Sequence, residues 1–472
     1  MVPDTAASAA NRFGLGARPG DLRRIAAGPA AWLRAQLHGD AGAGAFSGLP
    51  GSLHYLREEM TARQARMRER GPAAASADPE PAAANPRIRL LRESTRRELA
   101  LRHRHAASTP DGFTERLVRF WSNHFAVSVD KRTAALYAAP MEREAVRPHL
   151  FGRFDALLVA VETHPAMLRY LDNAASIGED SPLGQRARRR ASTSGMPARR
   201  AGLNENLARE ILELHTLSVD GGYGQGDVTE LARAITGWSV PLPRDFARGN
   251  PQSAFLFRES AHEDGVRSVL GRRYASAGLA QGQRILADLA VHPATALHLC
   301  GKLARHFVSD DPPPALVQRM AQAWQREGGA LVPVYQAMIE SPEAWAPTAR
   351  KFKSPDDYLL SAVRAAAIEH DPRRQLDLQV RLGQPPFTPR SPAGWPDTVA
   401  DWAGGDALWK RMQAASALGE AVPAGQLPAL QLAREVLGGQ ADDGLLSALR
   451  GAGSPGEGYA LLFASPAFQW RS

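Results

Sequence analysis

The chain has 472 residues, 44% hydrophobic and 22% charged, with a formal net charge of +8. That composition excludes a disordered or fibrous protein, and the length permits a large core without a disulfide or metal staple. Six of the eight charges lie in Arg186–Arg200, which has no acidic residue, so the rest is near neutral and no basic stripe on a recognisable module points to nucleic acid.

The N-terminus, MVPDTAASAANRFG, lacks a basic n-region and an apolar h-region, so cytoplasmic residence is the expectation. No apolar run reaches membrane-spanning length, and no membrane partner is expected. Leu22, Ile25, Trp32, Leu33 and Leu37 predict a helix over about 20–38. The Ala- and Pro-rich stretch 71–86 reads as a flexible insertion, and a basic amphipathic helix follows over 88–105. Phe113, Leu117, Phe120, Trp121 and His124 recur at helical spacing and define one face. Helices are expected over 134–149 and 154–171. The segment 172–202, carrying the arginine tract, is expected to be a long loop.

Two further helices are predicted over 204–219 and 227–238, joined by DGGYGQG. The stretch 254–274 is the best hairpin candidate. Helices follow near 281–291, 293–308, 314–326, 355–368, 406–413 and 431–437, with an ordered Pro- and Trp-rich connection over 381–402. The expected architecture is one mainly α domain over 5–472, with a small β-hairpin and no repeat. The single cysteine, Cys300, sits in register with Ala296, Leu299, Leu303 and Phe307, which predicts a buried apolar site. It also rules out an intramolecular disulfide.

The densest polar information is NENLAREILELH, 204–215. On a regular helix Asn206, Glu210 and Glu213 fall within an arc of about 60°, while His215 lies about 180° from Asn206. A regular helix therefore cannot aim Glu210, Glu213 and His215 at one metal ion, and the Glu-x-x-His and HExxH spacings are absent. Two readings fit the carboxylate stripe: a solvated face with pairs such as Arg209 to Glu213, or one side of an acid–base site. For His215 they are a hydrogen-bonded core histidine or a functional one. His124 shares an aromatic face and would become an acid or base if Glu210 or Glu213 approached it. Gly222, Gly224 and Gly226 precede a helix, but a helix rather than a strand comes before them. Helix termination and a capping-box start at Asp227 and Glu230 then fit better than a phosphate cradle. His262 and Glu263 read as turn residues. There is no GxSxG elbow. Spacing leaves open a metal site built from separate helices, and it names no cofactor.

The segments NRFGLGARPGD (11–21), FWSNHF (120–125), 202–238, 292–313, SPAGWPD (391–397) and SPAFQ (465–469) together resemble the bacterial domain-of-unknown-function family 1800. The resemblance implies a mainly helical fold and supplies no reaction. Its signature positions here are Asn123, His124, Asn204, Asn206, Glu210, Glu213, His215, Asp227 and Trp238. It also implies a sulfatase-like companion from family 1501, whose members tend to carry a twin-arginine export signal. Relatives often have signal peptides where this chain shows none, which leaves cytoplasmic residence or co-export to the periplasm with a folded partner. Two functions follow as expectations. One is a hydrolase- or transferase-like enzyme with His124 paired to Glu210 or Glu213 and oriented by Asn204 or Asn206. The other is a non-catalytic partner subunit of the companion.

Overall fold

The helix Gly112–His124 is buried along almost its whole length, including its charged residues Glu115, Arg116 and Arg119. A buried charge is tolerated only when it is paired, so this helix dictates what must surround it. In the computed structural model, which describes residues 5–69, 86–194, 202–249, 251–369 and 371–472, each partner comes from a distant part of the chain. Arg147, fully buried, grips both oxygens of Glu115 at 2.7 and 2.9 Å and reaches Glu142 at 3.1 Å. Arg102 donates to Glu142 from the helix Pro86–Ser108. Arg116 donates to Asp357 at 2.9 Å and to the Gly14 carbonyl at 2.6 Å, and Arg119 pairs with Asp356. Burial alone would raise the Glu142 carboxyl, but Arg102 and Arg147 outweigh it and hold its pKa at about 2.

The apolar face of the same helix packs as its spacing predicts. Phe113 meets Phe307 edge-on with centroids 5.5 Å apart, and the Trp121 indole donates to the Tyr335 hydroxyl at 2.7 Å. One continuous apolar core runs from Ala6 to Phe468 and includes Cys300, which is buried as expected. The N-terminal NRFG segment is structural. Asn11 bonds the Ala17 amide and the Val436 carbonyl, and Arg12 bonds the Ala344 and Ala349 carbonyls, tying the chain's start to its last third.

The fold is mainly α, with three two-stranded antiparallel sheets among the described residues. One is the expected hairpin, Arg267–Val269 with Arg272–Tyr274. It turns through Leu270 and Gly271, both at positive φ, the geometry that matches strand twist. Leu256–Phe257 pairs instead with Trp238–Ser239, and Lys351–Phe352 pairs with Trp470–Arg471. No described helix is long and apolar enough to cross a membrane.

Several expectations are corrected. The 20–38 helix is two, Asp21–Ile25 and Pro29–Arg34, because Gly28 and Pro29 break the ladder. His164 and Pro165 divide 154–171 in the same way, with His164 accepting from the Ala166 amide. The 172–202 segment is not simply a loop: Pro182–Ser194 is helical, and Arg188 pairs with Asp180 at 2.8 Å. The arginine run there is a good helix former. Helices Leu331–Glu340, Pro372–Arg381, Asp443–Arg450 and Pro455–Ala464 were not anticipated. Most of the predicted insertion 71–86 lies outside the described residues.

Replacing Arg147 with Met should strand Glu115 in the interior, take one of two arginines from Glu142, and cost roughly 3–5 kcal/mol, readable in urea unfolding. Because folding depresses the Glu142 pKa, its contribution is present above its unfolded value near 4.5 and fades as pH falls toward 2. Glu142→Gln should therefore flatten the loss of stability across that window.

Candidate functional site

The signature segment 204–216 does not fold as one regular helix. Asn204 Oδ1 accepts from the Asn206 amide and starts a helix over Asn206–Glu210, which widens into a π-helical stretch, Ile211–Thr216. The Leu217 amide reaches back five residues to the Leu212 carbonyl, and the Thr216 hydroxyl bonds the Ile211 carbonyl. Wider turns alter the angle between residues, but His215 is still buried apart from the half-buried Glu210 and Glu213. His215 is fully buried, with Nδ1 2.7 Å from Oε1 of the equally buried Glu162.

The expected site residues divide into three groups. Asn206 is exposed, while Glu210 and Glu213 are half-buried. Burial pushes the Glu210 carboxyl up, opposed by His215 and assisted by Glu213 and Glu162. Glu213 accepts from the Tyr223 hydroxyl at 3.4 Å. The expected Arg209–Glu213 pair does not form; Arg209 bonds Glu205 and Gln225 instead. Asp227 and Trp238 hold the scaffold. Asp227 accepts from the Gly224 amide at 2.8 Å and the Leu270 amide at 2.7 Å, fastening a helix start to the hairpin tip. It is thus the third helical residue reaching back, not the cap itself. Trp238 is buried, and its carbonyl accepts from Asn173.

His124 forms the second group. It is buried beneath Phe120 and Phe125. Lys302 Nζ donates to its Nδ1 at 3.0 Å, which puts the ring proton on Nε2, from which it donates to the His215 carbonyl at 3.3 Å. Burial pushes the His124 pKa well below the ordinary value, and Lys302, His215 and His298 add to that. Burial also lowers Lys302 to about 8 and His298 to about 4. The polar contacts of His124 are therefore a lysine and a backbone carbonyl, while the carboxylate of Glu162 approaches His215. No three or more His, Cys, Asp or Glu side chains among the described residues converge to hold a metal ion.

Asn123 points the other way, into a cavity of about 120 Å³. Its Oδ1 accepts from the Trp395 amide at 2.8 Å and its Nδ2 donates to the Trp395 carbonyl at 2.9 Å, so one side chain pins the 391–397 loop as a neighbouring strand would. Gly394 makes the close approach possible: it has φ +87°, and a Cβ there would lie 2.3 Å from the Asn123 carbonyl oxygen. The far wall is the start of the helix Pro355–Ala366. Ser354 caps it, and Asp356 and Asp357 occupy the first turn, where the helix dipole favours acids. Arg102, Arg116 and Arg119 face these aspartates. Phe387, also in the lining, has φ +54°, a strained conformation for a bulky side chain of the kind found at functional sites.

His306 and Asp397 complete the cavity. His306 Nδ1 and Asp397 Oδ2 are 2.8 Å apart. Burial alone would raise the Asp397 carboxyl, but His306, Lys351 and Arg471 outweigh it and keep it ionised. An ionised carboxylate only accepts, so Nδ1 carries the proton. Burial lowers the His306 pKa, with Asp397 opposing and Arg471 and Arg116 assisting. The ring is therefore neutral at neutral pH, and Nε2, which makes no hydrogen bond to the protein, has a free lone pair. This pairing of an oriented imidazole with an orienting carboxylate is the arrangement a general base requires.

Reading the sequence did not single out His306, Asp397, Glu162, Arg116, Arg119, Asp356 or Asp357. A signal existed for three parts of the cavity. Asn123, His306 and Asp397 lie in three separate segments that carry the family resemblance, 120–125, 292–313 and 391–397. A family model described as a protein of unknown function, DUF1800, matches residues 8–470, and the chain belongs to that family. No curated protein and no solved structure matches it.

Asn123→Ala should free the 391–397 loop without unfolding the protein, at a cost of about 1–3 kcal/mol. Hydrogen exchange at the Trp395 amide should accelerate strongly while amides of the 112–124 helix stay protected. Equal protection in both forms would show that the clamp does not position the loop.

Proposed function

We propose that this member of the family is an acid–base enzyme of the hydrolase or transferase type, with His306 as the general base, Asp397 as its orienting partner and the Asn123-clamped loop as one wall of the chamber. The observation that carries the reading is His306, a residue of the polar cavity wall whose buried Nε2 has no hydrogen bond while the other ring nitrogen is held by an ionised carboxylate. In this reading His306 Nε2 takes the proton of a water or alcohol. The oxygen attacks an electrophilic centre, and the imidazolium returns the proton to the leaving group. The expected partnership of His124 with Glu210 or Glu213 is replaced as the acid–base pair. His124, Lys302, His215 and Glu162 serve as the buried support beneath the same helix.

A second reading, a non-catalytic subunit of a sulfatase-like companion, draws on one observation. Leu408, Trp409 and Met412 are exposed on the helix Gly405–Gly419, and Leu376 and Val380 on the helix Pro372–Arg381. Arg374 bonds the Ala417 carbonyl, so the two helices are neighbours. Large apolar side chains left exposed on adjoining helices are candidates for a contact site. Trp409→Glu should abolish co-purification with such a companion and leave the enzyme reading untouched.

The enzyme reading is tested by turnover of nitrophenyl sulfates, phosphates, carboxylic esters and glycosides. Any activity found should fall about 10²–10⁴-fold in His306→Gln. Since neutral His306 is the active form, kcat/KM should drop as pH falls through a midpoint below 6.5 and stay level above it. Asp397→Asn, which removes the group raising the His306 pKa, should move that midpoint lower. Activity unaffected by His306→Gln would place the chemistry elsewhere.

A further inference from the structure

Most carboxylate oxygens in the cavity already carry a donor, the unpartnered buried acceptors are His306 Nε2 and Gln379 Oε1, and one guanidinium edge is left over. Asp356 Oδ2 takes Arg119 Nη1 and its Oδ1 takes Gln379 at 2.7 Å. Asp357 Oδ1 takes Arg116 at 2.9 Å, and its Oδ2 lies 3.5 Å from Arg471. Asp397 Oδ2 takes His306. Arg119, 8% exposed, has two nitrogens with no hydrogen bond, Nε and Nη2. The nearest carboxylate to Nε is Glu115 Oε1 at 3.9 Å, beyond hydrogen-bond reach and already bound to Arg147 Nη2. Nε and Nη2 form one edge of the guanidinium, with their N–H bonds parallel. That edge is the fork that grips two oxygens of a carboxylate, sulfate or phosphate.

We infer that Arg119 is the anchor of an oxyanion subsite, so that the substrate carries a carboxylate, sulfate or phosphate group held by Nε and Nη2 while its reacting centre faces His306 Nε2. Asp356 fixes the guanidinium through Nη1, leaving the other edge free for ligand. Arg116 and Arg102 add positive potential from the same walls. Cation binding is disfavoured because the carboxylate oxygens of Asp356 and Asp357 already face positive or donor groups. A buried donor edge with no protein acceptor is costly unless a ligand or solvent meets it, and an anion meets both of its N–H groups at once. The inference takes the His306 cavity as the reaction chamber, but binding can be measured without turnover.

Calorimetric titration of the whole chain at low ionic strength with inorganic sulfate, inorganic phosphate and acetate tests it. The wild type should bind at least one of the three with one-to-one stoichiometry, and the anion preferred identifies the substrate group. Arg119→Lys, which keeps the charge but not the fork, should weaken binding at least fivefold. The double variant Arg119→Gln/Asp356→Asn, which removes the fork without stranding a carboxylate, should weaken it at least tenfold. His306→Gln should stay within twofold of wild type. If the double variant does not fold, the lysine variant decides. No binding of any of the three anions, or equal binding by wild type and the Arg119 variants, would overturn the subsite. Retained anion binding with turnover indifferent to His306→Gln would sink the enzyme reading and leave the subsite standing.

Discussion

The pairing of charges along the buried helix Gly112–His124 is the constraint that organises this molecule. Glu115 and Arg119 lie on one face of the helix and Arg116 beside them, and each must meet an opposite charge before the apolar core can close around it. Their partners lie on Arg147, Asp357 and Asp356. Pairing therefore brings the middle of the chain and the helix Pro355–Ala366 against the same element. The cavity forms where that requirement is met incompletely. Asp356 occupies one nitrogen of Arg119, and the opposite edge of the guanidinium makes no hydrogen bond to the protein.

His215–Glu162 and His306–Asp397 are imidazole–carboxylate pairs on either side of the helix, and their surroundings separate their roles. His215 and Glu162 are both fully shielded from solvent, beneath the π-helical stretch and beside Phe125. His124 above them is held neutral by burial and by Lys302. A dry arrangement of this kind fixes geometry. His306 and Asp397 instead line a polar cavity, with His306 Nε2 shielded from bulk solvent and without a hydrogen bond. A place in the wall of a polar cavity, rather than the presence of histidine beside acid, is what sets the second pair apart.

The parts of the fold legible in the sequence are those governed by local spacing. The helix Pro314–Arg326 begins and ends where its proline and periodicity say it should, and the aromatic face of 112–124 is buried as read. The Arg267–Tyr274 hairpin follows from its turn. The site was legible only at its edge. Asn123 stood out as a signature residue, but its partner Trp395 is 272 positions away, and His306 meets Asp397 across 91. No periodicity encodes such meetings. In 204–215 the separation of His215 from the half-buried Glu210 and Glu213 was legible, but the widened turn over Ile211–Thr216 and the Glu162 partner of His215 are not encoded in local spacing.

The account turns on the protonation of one ring. Nitrogen-15 NMR of histidine-labelled protein at pH 7.5, with His306 assigned by its absence in a His306→Gln spectrum, reads both ring nitrogens directly. The account requires a protonated Nδ1 and a bare Nε2. A spectrum in which His306 carries its proton on Nε2, or on both nitrogens, would contradict it.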